Sequence, residues 1–323
     1  MHGGNDALVD PAAPTWVAGH RGLAGSAIWR ALSAAGFSRL VGRTCAELDL
    51  RDRDATDAFV RATRPHCVVL AAARVGGILA NSTRPVDFLS DNLRIQVNVM
   101  DAALAAGVPR LLFLGSSCIY PKHAPQPIRE EALLTGPLEP TNDAYAVAKI
   151  AGIAHVRAAR RQHGVSWISA MPTNLYGPGD SFDPVGSHVL PGLLRRVAEA
   201  ADAGAPEVVV WGTGTPRREF LHADDLGRAC ALLLRSYDSD LPVNVGVGSD
   251  VTIRELAETV ASVVGYRGRL VFDDSKPDGT PRKLLDVSRL RGLGFVPEVA
   301  LADGIAATYE WFRANVLPAP VAG

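Results

Sequence analysis

Thr15-Trp16-Val17-Ala18-Gly19-His20-Arg21-Gly22-Leu23-Ala24-Gly25-Ser26-Ala27-Ile28 reads as a short apolar strand that runs through a glycine turn into a helix, with helical periodicity to Ala35 and a stop at Gly36. The three glycines follow a GxxGxxG spacing. They let the backbone turn sharply, approach a pyrophosphate closely and pack the helix against the strand, while the helix N-terminus offers unpaired N–H groups to an anion. A glycine triplet alone fits a plain tight turn. Its place between strand and helix at the start of a domain favours dinucleotide binding.

Outward from this unit, apolar runs at Arg39 to Gly42, His66 to Ala73, Arg110 to Gly115 and Trp167 to Met171 alternate with helical patterns over 52–63, 86–106 and 143–163. Alternation with unbroken apolar strands predicts an α/β fold: a doubly wound parallel sheet covered on both faces. After Tyr176-Gly177-Pro178-Gly179 the rhythm changes, and Pro242 to Gly246 reads as one more strand returning to the sheet. The expected division is a loose N-terminal extension over 1–14, a dinucleotide-binding domain over 15–177 plus 223–250, and a smaller discontinuous lobe over 178–222 plus 251–323. A chain of 323 residues at 47% hydrophobic has ample core for this, and its net charge of -1 argues against nucleic-acid binding by bulk basic charge. No stretch approaches the ~20 apolar residues of a membrane span, so a soluble, cytoplasmic protein is expected. The four cysteines, Cys45, Cys67, Cys118 and Cys230, show neither a CxxC pair nor zinc spacing, so no disulfide framework and no metal are implied.

Gly115-Ser116-Ser117-Cys118-Ile119-Tyr120-Pro121 precedes Tyr145-Ala146-Val147-Ala148-Lys149 by about thirty positions, a combination that reads as a carbonyl-reducing site. On a helix, residues i and i+4 share a face, which puts Tyr145 beside Lys149. A phenol with an ordinary pKa of about 10 needs a neighbouring ammonium to lose its proton near neutrality. Ser116 is placed to hydrogen-bond the same carbonyl oxygen. The bland alternative is a core tyrosine and a solvated lysine. Against it, only four of the 33 basic residues are lysines (Lys122, Lys149, Lys276 and Lys283), so Lys149 marks a place where a compact ammonium matters.

The glycine turn, the Ser116/Tyr145/Lys149 set and the returning strand together resemble the extended short-chain dehydrogenase/reductases that act on nucleotide-sugars. More narrowly, Ser116 to Pro121, Glu139-Pro140-Thr141-Asn142, Met171 to Pro178, Ser187-His188-Val189 and Trp211 to His222 resemble the GDP-L-fucose synthase family. The resemblance implies a Rossmann-type fold and a homodimer. It implies 3,5-epimerisation of GDP-4-keto-6-deoxy-D-mannose followed by reduction of its C4 ketone with NADPH. Cys118 is then the base and His188 the acid, two groups usable near neutrality; the alternatives are a buried small thiol and a capping or core histidine. In an extended segment Cys118 points to the same side as Ser116. The implied cofactor residues are Gly19, His20, Arg21, Gly22, Leu23, Ala24 and Gly25, then Arg43, Asp49 and Leu50, then Leu114, Gly115, Ser116 and Ser117. Tyr145, Lys149, Pro172, Thr173, Asn174, Leu175 and His188 complete them. The implied substrate residues are Asn174, Arg196, Trp211, Arg218, Asp278 and Lys283.

Two departures bear on these expectations. Where the family shows Arg-Thr-Arg-Asp-Glu-Leu, this chain has Arg43-Thr44-Cys45-Ala46-Glu47-Leu48, so one arginine for a 2′-phosphate is missing. Arg21 and Arg43 remain, which favours NADP(H) and leaves NAD(H) as an alternative. Asp143-Ala144 stands where the family has Glu-Pro, and an aspartate suits that helix start. Rival readings are an epimerase/reductase or simple 4-reductase of another GDP-deoxy-keto sugar, heptoses included, or a non-catalytic NAD(P)-binding sensor.

Overall fold

The computed structural model describes residues 8–184, 186–276 and 278–317. Its first half runs β1 (Thr15–Ala18), α1 (Leu23–Ala34), β2 (Leu40–Val41), α2 (Arg53–Thr63), β3 (Cys67–Leu70), α3 (Ile78–Thr83), α4 (Pro85–Ala105), β4 (Arg110–Leu114), α5 (Asp143–His163) and β5 (Ser166–Pro172). The second half runs β6 (Asn174–Tyr176), α6 (Val189–Asp202), β7 (Glu207–Trp211), β8 (Arg217–Arg218), β9 (Phe220–His222), α7 (Ala223–Ser236) and β10 (Val243–Val245). It finishes with β11 (Val251–Thr252), α8 (Ile253–Val264), β12 (Arg269–Asp273), β13 (Arg282–Lys283), α9 (Ser288–Gly292) and α10 (Leu301–Asn315).

Six strands form the expected parallel sheet in the order β10-β5-β4-β3-β1-β2. Every residue of β1, β3 and β4 is buried, and successive side chains feed opposite cores. Trp16, Val68, Leu111 and Phe113 meet Val99, Met100, Ile153 and Val156 of α4 and α5. Val17, Val69, Leu112 and Leu114 meet Ile28 and Leu32 of α1 and Leu226 and Leu233 of α7. A third core joins Tyr176, Phe182, Leu194, Phe220, Leu256, Ile305 and Phe312. No described helix is long and apolar enough to cross a membrane.

Two features differ from the simple pattern. Of the expected loose extension, 1–7 lie outside the described residues, whereas 8–14 are tied down. Val9 is buried with Ile28 and Phe37, the Pro11 carbonyl accepts from Ser38 N at 3.0 Å, and that of Pro14 accepts from His66 N at 2.8 Å. The other is Arg110, which opens β4 inside the core. Its guanidinium donates to Leu233 O at 2.9 Å, Leu234 O at 3.0 Å and Tyr237 O at 2.6 Å, placing a cation on the carbonyls at the C-terminus of α7.

The second half adds a small sheet, β11-β8-β13, and just past β13 Leu285 bridges Ile128 of the first half. β13 runs parallel to β8 with Lys283 opposite Arg218. Between β8 and β9, the fully buried carboxylate of Glu219 accepts from Gly248 N at 2.6 Å and Leu285 N at 3.1 Å. These main-chain donors fix the end of β13 to the turn after β10.

Candidate active site

The glycine turn is built from main chain. Gly19 has φ +87, and a Cβ there would come within 2.7 Å of Ala72 N. A Cβ at Gly25 would fall onto the Gly19 carbonyl, so strand and helix approach as closely as they do only because both positions lack side chains. Gly22 is the N-cap of α1; no side chain caps it and no acidic residue sits in the first turn. These uncompensated N–H groups fit the pyrophosphate of a dinucleotide. His20 lies against Gly42, its ring centroid 5.5 Å from that of Trp29, with a buried Nδ1 that has no partner. Burial first, and then the charge of Arg21, hold its pKa below the ordinary imidazole value.

At the rim, Arg21, Arg43 and Cys45 are exposed. Arg43 donates to Gly42 O at 2.8 Å and lies 5.4 Å from the Phe59 ring centroid. Glu47 closes the intervening turn, accepting from Thr44 N at 2.7 Å and Oγ1 at 2.8 Å. Asp49 is bound to Arg51 at 2.7 Å, and Leu50 O accepts from Asn98 at 2.9 Å.

The segment after β4 is not extended, so the side-sharing expected of Ser116 and Cys118 has another cause. Ser117–Ile119 is a single 3-10 turn, and Ser116 caps it by accepting from Cys118 N at 3.2 Å. The cap keeps the serine oxygen and the thiol at one turn. Gly115 makes room beneath, since a Cβ there would collide with the Met171 sulfur. Tyr145 stands in the first turn of α5, hydrogen-bonded to the Ser116 side chain, with Phe88 edge-on at 6.5 Å. Burial raises its pKa above the ordinary phenol value; the neighbouring Cys118 adds to that rise and the Ser116 bond opposes it.

Lys149, one turn on, is buried and donates to Leu114 O at 2.8 Å. Its Nζ is 5.8 Å from the Tyr145 ring centroid. Burial pushes its pKa down to about 7. The expected relief of the phenol by a neighbouring ammonium is therefore not the dominant effect in this form, where desolvation governs both groups.

Three further groups converge here from distant segments. The half-buried Cys118 Sγ accepts from Asn142 Nδ2 at 3.3 Å and from Lys283 Nζ at 3.6 Å. Asn142 is the N-cap of α5 yet makes no capping bond, because its amide is turned to the sulfur. His188 starts α6, and its segment is pinned where Gly77 N donates to Gly186 O at 2.9 Å. His188 is exposed by surface area, yet burial lowers its pKa, followed by Lys283. A ring facing solvent from within a concavity satisfies both facts.

Around this centre Arg196 donates to Val209 O at 3.1 Å and Arg218 to Arg217 O at 2.8 Å; burial lowers the pKa of both. Trp211 is 67% exposed, with Lys276 Nζ 6.0 Å from its ring centroid. Asp278 accepts from Thr213 N at 3.0 Å and Oγ1 at 2.7 Å, and Asn174 donates to Glu219 O at 2.8 Å. Thr173 is buried beside it, between Pro172 of β5 and Leu175 of β6. Two participants carried no role in the sequence reading. Glu139 pairs with Lys122 at 3.0 Å and accepts from Thr280 at 3.2 Å, and Asn142 holds the thiol. The run Glu139-Pro140-Thr141-Asn142 was the one signal pointing to them.

The model of the NAD dependent epimerase/dehydratase family matches residues 15–246. GDP-L-fucose synthase 1 of Arabidopsis thaliana is 59% identical over 309 residues, covering 96% of this chain and 96% of its own length. Among solved structures, a GDP-6-OMe-4-keto-L-xylo-heptose reductase from C. jejuni superposes with a TM-score of 0.89 at 34% identity, covering 95% of this chain and 99% of its own. A GDP-L-fucose synthetase from Naegleria fowleri bound to NADP gives 0.88 at 31% identity, covering 95% of this chain and 94% of its own. The chain belongs to the NAD dependent epimerase/dehydratase family and, within it, to the GDP-L-fucose synthases.

Proposed function

We propose that the chain converts GDP-4-keto-6-deoxy-D-mannose to GDP-L-fucose by epimerisation at C3 and C5 and reduction at C4. The observation that carries this is the meeting of Cys118 and Tyr145 at one turn, with Lys283 near both Cys118 and His188. A proton-removing thiol is more than a simple reductase needs.

NADP(H) fits the glycine turn of residues 19–25, with Arg21 and Arg43 for the 2′-phosphate and Lys149 for the ribose. Bound NADPH supplies the hydride for C4. Ser116 and Tyr145 hold the ketone oxygen, and their hydrogen bonds strengthen as charge builds there. Cys118 removes the acidic protons at C3 and C5, and His188 returns a proton on the opposite face. Tyr145, kept a neutral phenol by burial, gives its proton to O4 as the ketone is reduced. Arg196 and Arg218 take the diphosphate, already partly desolvated and so at smaller cost on binding. Trp211 stacks on the nucleotide or covers the sugar, with Asn174 and Asp278 fixing hydroxyls.

The discontinuous lobe of 178–222 plus 251–323 carries the sugar nucleotide. A homodimer forms through α4 and α5, whose exposed Val86, Val97 and Val147 are the apolar surface such a pairing would bury. A cytoplasmic location accords with the soluble NADPH pool the reaction needs. A second reading, reduction of a seven-carbon GDP-keto sugar, is favoured by the similarity to the heptose reductase.

Purified protein given NADPH and GDP-4-keto-6-deoxy-D-mannose is expected to oxidise the cofactor and release GDP-L-fucose, identified by NMR. Turnover of a heptose substrate alone would select the second reading. No turnover with either, despite NADPH binding, would leave only a sensor.

A further inference from the structure

Lys283 is a candidate substrate residue, yet its ammonium donates to Cys118 Sγ at 3.6 Å. Its position is strongly determined. Lys283 pairs with Arg218 across β8 and β13, Leu284 N donates to Gln126 Oε1 at 2.8 Å, Leu284 O accepts from Ile128 N at 2.7 Å, and Leu285 N is held by Glu219 at 3.1 Å. The same sulfur has a second donor: Asn142 forgoes its capping bond to donate at 3.3 Å, and its Oδ1 is left buried without a partner. A buried amide oxygen without a donor costs free energy that the sulfur contact and an incoming hydroxyl offset.

We infer that Lys283 and Asn142 are the donor pair that keeps Cys118 in its proton-abstracting form, and that Asn142 Oδ1 accepts from a hydroxyl of the bound sugar. The inference rests on the epimerase reading. In that step a sulfur lone pair takes the proton from C3 or C5. The C–H bonding pair becomes the enolate C=C, and the ketone π pair moves onto O4. Lys283 and Asn142 neither gain nor lose a proton; they meet the charge on sulfur before transfer. Burial first, and then the charge of Lys283, disfavour the imidazolium of His188, so the ammonium that faces the thiol also bears on the second proton-transfer group.

The test uses the full chain with NADP+ bound. Alkylation by iodoacetamide is followed on the Cys118 peptide, because Cys45 is exposed and would react as well. Lys283→Met and Lys283→Gln are expected to slow it about tenfold at neutral pH, Lys283→Arg to restore most of it, and Asn142→Ala to slow it less. Solvent-deuterium incorporation at C3 and C5, with NADP+ in place of NADPH, should fall in kcat rather than rise in KM. Unchanged alkylation with a raised KM for the sugar nucleotide would overturn the inference and make Lys283 a diphosphate ligand. Lys283-dependent alkylation in a protein that turns over no GDP-keto sugar would uphold the donor pair while removing the reaction proposed for it.

Discussion

The proposed dinucleotide cradle and the proposed sugar cleft are built from different material. The cradle is one contiguous segment, residues 15–28, working through glycine backbone and an uncapped helix end. The cleft is made of side chains from four separated places: the 116–118 turn, the start of α5, His188 and Lys283, the last meeting Cys118 across 165 positions of chain. A site of the first kind fails when anything is added to it. The second kind fails when any one group is removed, and the failure is chemical before it is structural.

The sharpest separation comes from Tyr145→Phe. In the proposed mechanism its phenol gives the proton to O4, so kcat should fall by about 10²–10⁴ while NADPH affinity and melting temperature stay near wild type. Equal loss of cofactor binding would show that the two regions are not separable. Gly25→Val is the converse. Its side chain has nowhere to go but the Gly19 carbonyl, so helix α1 must shift. About 3 kcal/mol of stability should go, and NADPH binding with it, read by urea unfolding and fluorescence titration.

Lys149→Met crosses the divide. Folded Lys149 has a pKa of about 7 against 10.5 for the free group, so the folded chain pays for a buried charge below about pH 7. Between about 7 and 10.5 the unfolded chain holds a proton that the folded one has released, and stability rises with pH through that window. The methionine variant should therefore gain about 1–4 kcal/mol at or below neutrality, a gain that shrinks towards pH 10.5, while turnover is lost. Destabilisation at neutral pH would mean that the bond to Leu114 O outweighs the desolvation.

The same division explains what could be read from the residues. β1 ends at Ala18 as read, α5 spans 143–163 as read, and β4 differs by one position, because doubly buried strands and glycine stops leave a local imprint. The tyrosine and lysine were legible because helical spacing alone brings them together. The 3-10 turn at Ser117, the diverted cap of Asn142 and the reach of Lys283 to Cys118 were not. Each depends on which competing partner wins in three dimensions. An asparagine before a helix predicts a cap until a sulfur lies closer. Arg110 is a similar case: a charged residue opening an apolar strand gives no hint of the helix end it serves.

Cys45→Arg has the smallest expected effect and tests the rim beside the cradle, where side chains take over from main chain. Main chain can hold a pyrophosphate, but it cannot tell a 2′-phosphate from a hydroxyl; that needs cations at the rim. Arg21 and Arg43 are exposed there, and Arg43 already donates to Gly42 O while lying over Phe59, so it is partly preoriented. Glu47 is committed to Thr44, which keeps its carboxylate in the turn. A third arginine at 45 adds one solvent-screened contact, worth about 1 kcal/mol, or roughly fivefold in NADPH affinity at low salt. NADH affinity should not change, and the gain should fade as salt is raised. An equal gain for both cofactors would move position 45 off the 2′-phosphate and leave the discrimination to Arg21 and Arg43 alone.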